Sequence, residues 1–191
     1  MKSRMIKSAR LLLIAVSGLL AGCNTLKSEY YPGTKAVIKD ADIERESIWT
    51  FNEEAYYVHM IGSNDFVAAT LNWNEQTQTY EAESFPIVLS VLDKEEHFLS
   101  VKGDDGLYSI LRAIPACDTT DTWVLYCIDG DVLKEHIHAG QVKADKKNDT
   151  YTLQGSKAEQ DLYLRENYEQ LFPAKAASVA RMIMADKKKD K

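Results

Sequence analysis

From Ser47 to Leu153 apolar residues recur in short runs with a period of two, separated by turn residues. That period constrains the fold more than any other feature. Successive side chains of a strand point to opposite faces, whereas a helix repeats every 3.6 residues. The clearest case is 55–61, where Tyr56, Val58 and Met60 alternate with Tyr57, His59 and Ile61. The adjacent pair Tyr56-Tyr57 must place one ring on each side of a sheet, so at least one of them lies away from a one-sided core. Further runs cover 47–51, 66–73, 79–92, 97–102, 107–114 and 123–128. Gly103-Asp104-Asp105-Gly106 is the strongest hairpin signal, because these residues accept the backbone angles of tight turns. Pro86 interrupts the longest run; it lacks a ladder donor and marks an edge strand, a bulge or a join. Regular spacing of short strands predicts an antiparallel meander of seven to nine strands.

Two helices are expected to interrupt or close the meander, and a further one to follow. Asp129-Gly130-Asp131 introduces a helix near 131–139, in which Leu133 and Ile137 share a face and Gly140 follows the end. Residues 142–144 and 150–153 read as a small hairpin around Lys146-Lys147-Asn148-Asp149. Ser156-Lys157-Ala158-Glu159 is a capping box that starts a helix over 156–172, with Leu164, Tyr168, Leu171 and Phe172 at helical spacing. Pro173 stops it, and Ala174 to Ala185 reads as a further helix. The expected class is mainly β (α+β): an antiparallel β-meander forming a curved half-barrel or small barrel with C-terminal helices, since long sheets curl.

The first residues are an address rather than part of that fold. Lys2, Arg4, Lys7 and Arg10 precede an apolar run from Leu11 to Leu20, and two small residues follow. This is the pattern of a secretory signal. At the helical rise, Leu11 to Gly22 spans about 18 Å, short of the roughly 30 Å of a bilayer's hydrocarbon core. Leu20-Ala21-Gly22-Cys23 resembles the lipobox of bacterial lipoproteins, residue for residue. The resemblance implies cleavage before Cys23, diacylation of its sulfur and acylation of the new amino terminus. Three chains exceed what stable anchoring needs. Asn24, rather than Asp, follows the cysteine; in enteric-type bacteria that pattern implies export to the outer membrane. The order of parts behind the anchor is similar to uncharacterised β-rich bacterial lipoproteins and, in architecture alone, to lipocalin-like barrels. The expected organisation is therefore a signal peptide (1–22), a lipidated N-terminus and tether (23–46), a β-rich domain (47–172), and a C-terminal helix with a basic tail (173–191).

Charge and cysteines narrow the function classes. Residues 1–22 hold four bases and no acids, so the chain from Cys23 carries 19 bases against 29 acids, a formal charge of −10. An acidic chain has no electrostatic footprint for nucleic acid. In an exported protein the remaining cysteines, Cys117 and Cys127, read as a disulfide. Closing an eleven-residue loop is worth on the order of 3 kcal/mol. Two buried thiols or a redox pair are the rival arrangements, although the spacing lacks the Cys-x-x-Cys form.

Chemical motifs are sparse. His136 and His138 are two apart, so a helix directs them to different faces, unlike the four-residue spacing of a zinc helix. No metal site and no cofactor are expected. There is no nucleophile elbow, phosphate loop or dinucleotide fingerprint, and the acidic pairs fall in turns, where carboxylates stay solvated. The aromatics on strands remain. Trp49, Tyr57, His59, Trp73 and Tyr108 are the candidate ligand-binding residues, with ordinary core and cross-strand pairing as their alternative roles. The expected function is non-catalytic binding or assembly in the envelope, with membrane attachment through Cys23 and an envelope protein as partner. The second expectation is a lipocalin-like carrier of a small hydrophobic ligand, and the third a hydrolase. An unfilled interior would favour the carrier; a packed one would favour the binding module.

Overall fold

A computed structural model describes residues 24–36, 46–51, 54–61, 65–93, 96–115, 122–173 and 177–183. Among the described residues twelve strands occur in chain order. They are β1 (Thr25–Ser28), β2 (Thr34–Lys35), β3 (Glu46–Phe51), β4 (Glu54–Ile61), β5 (Asp65–Asn74) and β6 (Thr79–Val91). Next come β7 (His97–Lys102), β8 (Tyr108–Pro115), β9 (Thr122–Tyr126), β10 (Ala144–Lys147), β11 (Thr150–Leu153) and β12 (Ala177–Ile183). Helix α1 (Gly130–His138) follows β9, and α2 (Lys157–Leu171) follows β11. The protein is mainly β, as the period of two requires.

The strands join one twelve-stranded sheet in the order β10-β11-β1-β8-β7-β6-β5-β4-β3-β12-β9, with β2 on β6. The sheet as a whole stays open, ending at edge strand β10. It curls strongly, because β9 also pairs with β8 through Arg112↔Tyr126 to Pro115↔Trp123. The pairings from β8 through β7, β6, β5, β4, β3, β12 and β9 thus return to β8. Every pairing is antiparallel except β1 with β11. Pro86 pairs with Val67 of β5, but the β7 ladder begins one residue later, at Ile87↔Val101. The proline therefore stands where β6 passes from a one-sided edge to a two-sided position, the place that lacking a donor allows.

Curling makes two cores. Tyr56, Val58, Phe66, Phe85, Leu99, Val101, Leu111 and Leu125 fill the inside of the curl. On its outer side Leu26, Phe98, Ile110 and Tyr151 pack with Leu133 of α1 and Tyr163, Leu164 and Leu171 of α2. Both helix starts follow their capping residues. Asp129 accepts bonds from the amides of Asp131 (3.0 Å) and Val132 (3.4 Å). Ser156 and Glu159 form the reciprocal capping box, with the Ser156 amide donating to Glu159 Oε2 at 2.7 Å.

Two expectations are corrected. Residues 173–191 do not form a helix where they are described: Ala177–Ile183 is β12, paired with β3 and β9. Alanine, arginine and methionine favour a helix locally, but a strand here satisfies the open ladders of both neighbours, and tertiary pairing outweighs propensity. Nor is 23–46 a tether throughout. Thr25–Ser28 is β1, inserted between β8 and β11, with Leu26 and Ser28 buried. The following turn is tied to α2. The Gly33 amide donates to Asp161 Oδ1 (2.9 Å), and Lys157 Nζ donates to the Tyr31 carbonyl (2.8 Å). Gly33 has φ +61°, and a Cβ there would collide with the Val91 carbonyl oxygen, so only glycine fits.

Candidate functional site

The inside of the curl is the first place to look for a ligand site. Alternation on β3 to β9 sends Trp49, Tyr56, Ala68, Phe85, Leu99 and Leu125 inward, and they surround a cavity of about 50 Å³. Ring contacts close it further: Trp49 to Phe66 at 6.1 Å and Tyr56 to Phe85 at 5.9 Å between centroids. Sites for drug-sized ligands hold roughly 300–1,000 Å³. Among the described residues this interior is a packed core with a small apolar void.

The outer face differs. Tyr57 is exposed on β4 beside Ile48 of β3, its direct cross-strand neighbour. Beyond Ala69 the β5–β6 hairpin extends past the packed core, and its two faces exchange character. Inward, Asn72 Nδ2 donates to Glu83 Oε2 (2.9 Å) and Asn74 Nδ2 to Glu81 Oε1 (2.7 Å). Outward, Leu71, Trp73 and Tyr80 are 67%, 52% and 69% exposed, and the Trp73 and Tyr80 rings meet edge-on at 5.0 Å. The tip is ordered by Asn74 Oδ1, which accepts from the amides of Gln76 (2.9 Å) and Thr77 (3.2 Å). Folding needs apolar residues where they are buried. Here they form an exposed apolar face, while the positions continuing the core side are polar.

The five candidate aromatic and histidine positions therefore do not form one pocket. Trp49 lines the interior. Tyr57 and Trp73 belong to the outer apolar surface, and His59 is exposed on β4 opposite Val67. Tyr108 packs at the β1–β8 join, edge-on to Tyr31 at 5.7 Å and under Lys102 Nζ at 5.4 Å. Chain alternation predicted that Tyr56 and Tyr57 divide between faces, and they do. It could not say which face the fold fills. Leu71 and Tyr80 are not among the five candidates, because an amphipathic strand reads the same whichever face is covered.

Cys23 and Cys117 lie outside the described residues; Cys127 is buried just after β9. His136 is not simply solvated: its Nδ1 lies 2.9 Å from the Tyr163 hydroxyl on α2, while His138 is exposed, as helical spacing directs. Burial pushes the Tyr163 phenol well above its ordinary value, so it is neutral and the pair is a structural contact. Among the described residues no group of three or more His, Cys, Asp or Glu could hold a metal. A polar cluster that sequence reasoning missed fixes α2 to the sheet. Arg112 Nε donates to Glu96 Oε2 (3.0 Å), and its guanidinium stacks 4.5 Å from the Tyr168 ring centre. The Glu96 carboxylate holds the Tyr168 hydroxyl above its usual range. Among the described residues no helix is long and apolar enough to cross a membrane. No family model, curated protein or solved structure matches the chain.

Proposed function

We propose that this chain is a lipoprotein of the bacterial cell envelope, anchored in the outer membrane through acylated Cys23. Its periplasmic domain binds another envelope protein and does no chemistry of its own. The observation that carries the binding role is the exposed surface of Leu71, Trp73 and Tyr80 on a hairpin that projects beyond the core. Tryptophan and tyrosine are the side chains most often found as anchors of protein interfaces. The carrier reading draws no support from a 50 Å³ interior. A disulfide between Cys117 and Cys127 belongs to the same reading, since an exported domain meets an oxidising compartment.

The test is site-specific photocrosslinking in growing cells, with the reactive side chain placed at Tyr80. A single protein adduct, identified by mass spectrometry and abolished by Trp73→Glu, is the expected result. Absence of any protein adduct at Tyr80, with the chain correctly localised, would refute the binding surface.

A further inference from the structure

We infer that the acylated chain stands on the bilayer on its β10–β11 end, with no spacer, and holds the β5–β6 hairpin away from the lipid. This rests on the anchoring reading and adds to it the surface that meets the phospholipid headgroups. The residue after the anchor is already part of the sheet. Asn24 forms a bridge with Ile128, and its side chain lies against Gly130 at the start of α1. The Thr25 amide donates to the Asp149 carbonyl at 2.8 Å. Because Thr25 pairs with Thr150 in parallel register, Asn24 lies beside the β10–β11 turn, Lys146-Lys147-Asn148-Asp149. One peptide unit, about 3.8 Å, separates the acylated residue from the folded body.

That end also suits a phospholipid surface electrostatically. Between 143 and 149 the exposed Lys143, Lys146 and Lys147 outnumber Asp145 and Asp149, with Asp131 of α1 nearby. Local charge close to zero repels an anionic surface less than the chain's total of −10 from Cys23 would.

Register places the hairpin at the other end. Leu26, Ile110, Ser100, Val88 and Asp65 lie on one rung across β1, β8, β7, β6 and β5. Asn24 is two residues beyond that rung in one direction, and Thr79, at the hairpin turn, is nine residues beyond it in the other. Both offsets run along strands of one curled sheet, so the β10–β11 turn and the hairpin turn lie toward opposite strand ends.

The test uses the full chain, matured in bacteria and reconstituted in vesicles of phosphatidylethanolamine and phosphatidylglycerol. A fluorescent amino acid is placed at Asn148 or at Thr77, and a quencher is attached to the headgroups. Quenching several-fold stronger at Asn148 than at Thr77 is expected. A long glycine–serine spacer between Asn24 and Thr25 should remove the difference. Equal quenching at both positions, or none at Asn148, overturns the posture. Intact mass measured on the same samples separates the two ideas: an unacylated Cys23 overturns the anchoring itself, whereas an acylated chain with equal quenching overturns only the posture.

Discussion

Phe98 and Leu71 are both large apolar residues on strands, and only their surroundings separate them. Phe98 is fully buried against Phe172, with ring centres 5.8 Å apart, whereas Leu71 is two-thirds exposed. Phe98→Ala should cost about 3–5 kcal/mol in urea unfolding. Leu71→Ser should stay within about 0.5 kcal/mol while weakening the Tyr80 crosslink. A large stability loss from Leu71→Ser would show that the hairpin face is core after all. Glu159 gives a second test at this scale. Bonds from the Ser156 hydroxyl and amide hold its carboxyl below its ordinary value. A depressed folded-state value contributes stability above the unfolded value, lost as pH falls through the folded one. Unfolding midpoints should therefore drop below about pH 4.5 in part because of this residue, and Glu159→Gln should flatten that part of the profile. An unchanged acid limb in the variant would contradict the capping role. The same logic of individual side chains explains what sequence could reveal. Ser156 and Glu159 announce their capping box because both partners lie within one helical turn. Arg112 and Glu96 are 16 residues apart, and nothing local links them to Tyr168.

Elements were legible where their own residues pay for their burial. β4 alternates so regularly that its period alone identifies it, and Gly103 to Gly106 closes its turn with the Gly106 amide on the Gly103 carbonyl at 3.0 Å. β1 and β12 were not legible. Thr25-Leu26-Lys27-Ser28 contains one apolar residue, and its strand state comes from the ladders of β8 and β11. Ala177–Ile183 has helix-favouring side chains and becomes a strand between β3 and β9. Such elements depend on partners far along the chain, so a local period cannot announce them. The β5–β6 hairpin shows the converse dependence. Its part near Phe66 and Phe85 is packed, while its outer part, 70–83, lies beyond the β7 ladder and beyond the last β4 pair at Ala69. Amides of Leu71 to Glu83 should therefore exchange with deuterium much faster than those of Ile87 to Val91. Equal protection along the whole of β6 would indicate a cover on the hairpin that the isolated chain does not supply.

At the scale of the molecule, one curled sheet separates three tasks. Its inside is filled, its flank carries α1 and α2, and its β5–β6 hairpin offers an exposed apolar face. The candidate site was half legible: aromatic strand residues were evident from sequence, but the choice between a pocket and an outer surface required knowing which face the curl encloses. The most direct measurement is native mass spectrometry of the full chain released from bacterial membranes in mild detergent, before any step that strips lipid. The expected species is a polypeptide beginning at Cys23, carrying three acyl chains and one disulfide, with no small molecule held inside. A chain that retains residues 1–22, or one that carries a non-covalently bound lipid surviving detergent exchange, would contradict the anchoring or the packed interior respectively.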